Sequence, residues 1–177
     1  TTTKGPSRYL AMFARTLLPK FLNTPACRFS CAVPLHSIRF QNQKQERTPI
    51  VILHGLFGSA SHWDSVGHSL SNNLNTSVHL LDLRNHGNSP HTDENTIEDM
   101  VADVENYFVQ NSIENAYLIG HSTGGKVAMK FSLAHNSKCS GMVIVDVAPE
   151  KLQDGVAERH FSFVNALKEI DLSNVNS

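Results

Sequence analysis

The sequence predicts an α/β fold: a mostly parallel sheet with helices on both faces. Short β-branched apolar runs alternate with stretches of helical periodicity along the chain. A G-x-S-x-G segment falls between one such run and the helix that follows it. Thr96 followed by Asp99 has the spacing of a capping box at the start of another helix.

The elements follow in order. Leu35–Phe40 alternates weakly and predicts a first strand. Pro49 then precedes Ile50-Val51-Ile52-Leu53, a continuous apolar run typical of a strand buried on both faces. Residues 60–74 place Trp63, Val66, Leu70 and Leu74 on one stripe of an amphipathic helix. Val78–Leu83 is the next strand, and Ile97, Met100, Val101, Val104 and Phe108 continue at helical spacing after the capping box. Ala116–Gly120 predicts a third buried strand, Thr123 to Ala134 a helix, Gly141–Val147 a fourth strand and 156–170 a last helix.

Composition narrows the class. The chain has 177 residues, 40% hydrophobic and 18% charged, as in an ordinary globular protein. No stretch approaches the roughly 18 apolar residues of a membrane span. The net charge of −1 conceals an asymmetry. Residues 1–45 hold Lys4, Arg8, Arg15, Lys20, Arg28, Arg39 and Lys44 and not one Asp or Glu, leaving eight basic residues against all 16 acidic ones in the remainder. Single basic residues set among apolar, Ser and Thr positions fit a mitochondrial presequence, which predicts the matrix as destination. They would break the apolar core of a secretory signal, and a nucleic-acid-binding arm would cluster them, so no nucleic-acid partner is expected. The organisation read from this is a leader over 1–34, a core over 35–150 and the start of a lid over 151–177. Cys27, Cys31 and Cys139 form neither a disulfide framework nor a zinc set, and no metal or organic cofactor is expected.

The chemistry centres on Gly120-His121-Ser122-Thr123-Gly124. A sharp strand-to-helix turn lifts a serine hydroxyl above the sheet, and glycines on either side keep that turn free of clashes. The helix start adds unpaired N–H groups that can hold an oxyanion. Gly120-x-x-x-x-Gly125-Lys126 also matches the first part of a phosphate-binding loop, but Val127 stands where that loop needs a Ser or Thr to hold Mg²⁺. Directly after the Ile50–Leu53 run comes His54-Gly55-Leu56-Phe57-Gly58-Ser59, a turn able to bring a second backbone donor beside the serine. Leu56 is the assigned donor, Phe57 the alternative, and Thr123 the donor on the serine's other side. His54 reads as a residue pinning that turn. Asp82-Leu83-Arg84-Asn85-His86-Gly87-Asn88-Ser89-Pro90 marks a tight loop, with Asp82 and Arg84 read as fixing it through a bidentate arginine–carboxylate pair. Nothing specific makes His86 a general base.

The ordered motifs HGLFGS, DLRNHGNSP, GHSTGGKVAM and VIVDVAP resemble the α/β-hydrolase superfamily. Their branch includes the mitochondrial abhydrolase domain-containing protein 11, bacterial short-chain esterases and yeast ethanol acetyltransferases. The resemblance covers roughly residues 35–170. It implies Ser122 as nucleophile, Leu56 and Thr123 as oxyanion donors, and a small acyl ester as substrate. One departure is Thr123, where the family usually has Met; a backbone N–H serves from either residue. For the acid, two readings stand. Asp146 can orient a histidine, as in members with the acid at the end of this strand, or it caps the strand and a later residue serves. The fold's chain order puts the histidine after the acid. His135 ends the serine's helix, where it can cap a carbonyl, and His160 falls at the start of the lid; neither matches the family's catalytic histidine. The chain is therefore expected to be the N-terminal part of a longer hydrolase, lacking the last strands and most of the lid and leaving a raw hydrophobic sheet edge. Two other functions remain open on the same scaffold, an alcohol acyltransferase and a non-catalytic protein binding a ligand or partner.

Overall fold

A computed structural model of the chain describes residues 32–41 and 47–149. Residues 1–31 of the leader expected over 1–34, and the helix expected over 156–170, with the lid and His160, lie outside the described residues. Five strands form one sheet: β1 Ser37–Phe40, β2 Ile50–Leu53, β3 Val78–Leu81, β4 Ala116–His121 and β5 Cys139–Val145. Among the described residues three α-helices join them: α1 Asp64–Leu74, α2 Ile97–Gln110 and α3 Thr123–Ala134. The sheet order is β1-β3-β2-β4-β5, with β1 antiparallel to β3 and every other pairing parallel.

All four residues of β2 are buried, as its unbroken apolar run requires of a strand covered on both faces. Alternate residues feed two cores. Val51, Leu53, Leu81 and Leu118 meet Met100, Val104, Phe108, Val127 and Phe131 from α2 and α3. Ile50, Ile52, Val78 and Leu80 meet Phe40, Trp63 and Leu70 on the α1 side.

The chain leaves β2 toward β3 in one direction and later passes back to β4 and β5 in the other. The strand order therefore reverses between β2 and β4, the place where open α/β sheets bind ligands beyond their carboxyl ends. Leu53 is in register with both Leu81 and Gly120, so the turns after β2, β3 and β4 emerge at one edge.

Several expected boundaries move for visible reasons. The helix expected over 60–74 opens as a 3₁₀ turn, Ala60–Trp63, before α1 begins. Its buried seam runs through Gly67 and Ser71, while Val66 and Leu74 of the expected stripe face solvent. A Cβ on Gly67 would come within 2.9 Å of Leu80 and Phe40, so α1 lies against the sheet where a side chain would hold it off. The capping box of α2 forms as expected: Thr96 Oγ1 accepts from the Asp99 N–H, and the Asp99 carboxylate accepts from the Thr96 N–H. β3 stops at Leu81 because the next N–H groups turn away from β2, that of Asp82 to the His36 carbonyl and that of Leu83 to the His54 ring. β5 stops at Val145 because Asp146 takes a left-handed φ of 57°. Among the described residues β5 has a neighbour on one side only, and Met142, Val143 and Val145 are exposed along it.

Candidate active site

The turn between β4 and α3 is strained at one residue. Ser122 has φ 50° and ψ −113°, a conformation that costs on the order of 1–3 kcal/mol for a non-glycine residue. Its neighbours hold it there. The Ser122 N–H donates to the Val145 carbonyl at 3.0 Å, and the Ser122 carbonyl accepts from the Lys126 N–H at 3.2 Å. Gly120 and Gly124 make the geometry possible. A Cβ on Gly120 would lie 2.5 Å from the Gly124 carbonyl oxygen, and one on Gly124 would lie 2.5 Å from that of His54.

The turn after β2 comes against this serine. An ideal Cβ built on Gly55 would stand 2.7 Å from His121 Nδ1 and 3.2 Å from Ser122 Cβ, so bare backbone faces the serine here. The Gly58 N–H donates to the Gly55 carbonyl at 2.9 Å, closing a four-residue turn. Phe57 is its third residue and has φ 60°. A positive φ at that position alone marks a type II turn, in which glycine is preferred. Among the described residues the N–H groups of Leu56, Phe57 and Thr123 make no hydrogen bond. Leu56 and Phe57 follow Gly55, the residue whose backbone meets Ser122, and Thr123 follows the serine itself.

His54 is buried and engaged at both nitrogens. Its Nδ1 lies 2.8 Å from the Gly55 carbonyl, and its Nε2 accepts the Leu83 N–H at 3.0 Å, which assigns the proton to Nδ1. Burial pushes its pKa down, against the raising effect of the Gly55 carbonyl. A neutral ring with no free nitrogen ties the donor turn to the end of β3 and offers nothing to a substrate.

Asp82 braces the same turn from the other side. Its carboxylate accepts from the Ala60 N–H at 2.6 Å, the Asn88 N–H at 3.0 Å and His36 Nδ1 at 2.8 Å. Burial works to raise its pKa, but these three donors together hold it below the usual carboxylate value. The bidentate arginine pair exists with a partner that sequence reading missed. Arg84 Nε and Nη2 reach the two oxygens of Asp103 in α2 at 2.6 and 2.8 Å, and the pair is buried. The hydrogen bonds to Asp103, opposed by burial, raise the guanidinium above its already high value. Asp103 sits among Met100, Val101 and Val104 on an otherwise apolar stripe, and a lone acid there was the available signal. His86 donates from Nδ1 to the Arg84 carbonyl at 2.8 Å and packs edge-on against His54.

Asp146 follows β5 with an exposed side chain, and His121 Nε2 stands 3.8 Å from its carboxylate. The Trp63 ring lies 6.4 Å from that of His121, centroid to centroid. Ser122, His121, Thr123 and the turn at Gly55 thus gather at the carboxyl edge of the sheet, with Asp146 beside His121. His135 is not among them. Helix α3 carries it roughly 18 Å away along its axis, where its Nδ1 lies 3.3 Å from Glu105 rather than capping a carbonyl.

Fold and elbow together define an α/β-hydrolase, and the chain belongs to that family: residues 48–173 match the alpha/beta hydrolase fold. It is similar to a probable alcohol acetyltransferase of Saccharomyces cerevisiae, 37% identical over 137 residues that span 76% of this chain and 40% of the relative. It is also 39% identical over 129 residues to the sn-1-specific diacylglycerol lipase ABHD11 of Danio rerio, covering 73% of this chain and 40% of that one. Among solved structures, a marine microorganism esterase superposes with a TM-score of 0.69 at 35% identity, over 82% of this chain and 55% of the other. The chain spans about two-fifths of the length of these curated relatives.

Proposed function

We propose that this chain carries the nucleophile half of a serine hydrolase acting on small acyl esters. Ser122 Oγ attacks the acyl carbon, and its proton passes to a histidine other than those of the described residues and then to the departing alcohol. Water attacks the resulting acyl-enzyme and releases the acid. Leu56 and Thr123 N–H groups hold the oxyanion, each worth on the order of 3 kcal/mol of transition-state stabilisation, and Asp146 orients the histidine. The observation that carries this reading is the strained Ser122 conformation, with N–H groups at Leu56 and Thr123 that have no partner among the described residues.

A second reading is favoured by the similarity to the yeast protein named as a probable alcohol acetyltransferase. An alcohol taking the place of water would make the same site an acyltransferase, through the same acyl-enzyme. The basic leader supports a mitochondrial location, which import into isolated mitochondria tests directly.

The test is fluorophosphonate labelling of the endogenous protein in a mitochondrial fraction, beside a Ser122→Ala control. A band that depends on Ser122 is expected. Absence of labelling with the protein demonstrably present overturns the hydrolase and leaves a binding role. Product analysis of the labelled protein with an ester and added ethanol separates hydrolysis from transfer.

A further inference from the structure

Phe57 presents a physical contradiction. It occupies the left-handed corner of the turn at φ 60°, where an aromatic residue is strained and glycine is not. A strained residue ordinarily persists because burial compensates, yet Phe57 is 58% exposed. Neither backbone preference nor core packing accounts for the residue. Strain of this kind concentrates where a side chain is needed for something outside the fold.

Its place says what that is. Phe57 is two residues from Gly55, the backbone that meets Ser122 Cβ. Leu56 beside it is 41% exposed, so the turn that meets the serine carries two neighbouring exposed apolar side chains. No lysine or arginine occurs between Ile50 and Leu83, so this segment offers no cation to an acidic substrate.

We propose that Phe57 is a specificity-determining residue, its ring receiving the uncharged alkyl chain of an acyl ester whose carbonyl is at Ser122. The proposal rests on the reading of Ser122 as nucleophile. On this proposal an acyl chain of several methylenes is favoured within the class of small esters, because it has apolar area to lay against the ring and an acetyl group has almost none. Selection comes from apolar area removed from water, which grows with each methylene. The strained corner is kept because it aims the ring outward.

The test uses protein expressed from its complete reading frame, as parent, Phe57→Gly and Phe57→Asn, with p-nitrophenyl acetate and octanoate as substrates. Both replacements tolerate a left-handed φ and retain the backbone N–H. The ratio of kcat/KM for octanoate to that for acetate is expected to fall by about ten-fold, mostly through KM. The thermal midpoint is expected to rise in both variants, because strain is relieved and little burial is lost. An unchanged ratio overturns the proposal, and so does a lowered midpoint, which would mean that the rest of the protein buries the ring. Fluorophosphonate labelling of the parent keeps the two readings apart. A labelled parent whose variants are blind to chain length sinks only the role of Phe57, whereas a parent that neither labels nor hydrolyses either ester sinks the nucleophile reading with it.

Discussion

The Gly124 N–H donates to the carbonyl of His54 at 3.1 Å, fastening the first turn of α3 to the end of β2. The same contact leaves no room for a side chain, since a Cβ at Gly124 would lie 2.5 Å from that carbonyl oxygen. The serine and the turn that faces it are thus held by backbone against backbone. Gly124→Ala must push them apart, and is expected to destabilise the protein by about 3 kcal/mol. Urea unfolding of the protein from its complete reading frame measures this. A loss within experimental error would mean that α3 can shift freely and that the site is not rigidly built.

Ser122 itself separates stability from activity. Its backbone at φ 50°, ψ −113° lies in a region that glycine enters without strain. Ser122→Gly is expected to stabilise the fold by about 1 kcal/mol and abolish fluorophosphonate labelling. Ser122→Ala keeps the Cβ and the strain, so it should lose labelling without that gain. Paired thermal midpoints for the two variants decide the point, and equal midpoints would remove strain from the account of this turn.

What the sequence made legible depended on how local the signal was. The strand-to-helix junction at Ser122, the Thr96–Asp99 box and the buried run at Ile50–Leu53 each rest on a few adjacent residues, and the structure has all three. Of the stripe expected on α1 and the turn before it, Trp63 and Leu70 pack on the core, while Val66 and Leu74 are exposed because depth of approach, set by Gly67 against Leu80 and Phe40, outweighs the count of apolar residues. Arg84 and Asp103 are 19 residues apart on different elements, so no motif joins them. The sequence points to His54 as pinning its turn, but its second partner, the Leu83 N–H, lies just past the neighbouring strand and only the fold reveals it. Tertiary pairing of single polar residues is the part a pattern does not encode.

That buried pair gives a strong test of what holds the 82–90 loop. Arg84→Met leaves Asp103 as a buried carboxylate without its cation, at an expected cost of about 4 kcal/mol. Arg84→Lys keeps a charge but cannot engage both oxygens, and should lose roughly half as much. Chemical denaturation of both variants ranks them. If lysine were as damaging as methionine, the pair would act through the shape of the guanidinium rather than its charge.

The last prediction concerns acid. His79 is packed beneath Tyr107, whose hydroxyl lies 2.8 Å from His79 Nδ1 and donates onward to Ser37 Oγ. Burial, aided by the positive charge of Arg39, pushes the His79 pKa down to about 4. In the unfolded chain the same ring titrates near 6.5. The folded protein therefore refuses a proton that the unfolded chain accepts between those values. His79 contributes stability that is fully present above pH 6.5, is lost as pH falls toward about 4, and changes no further below it. His79→Gln retains a hydrogen-bonding group for Tyr107 and has no proton to gain, so its stability should be flatter across this window. Unfolding free energies measured at intervals from pH 7 to pH 4 for parent and variant give the comparison. Parallel curves would mean that the ring is hydrated in solution and that the Arg39–Ser37–Tyr107–His79 cluster opens at the sheet edge.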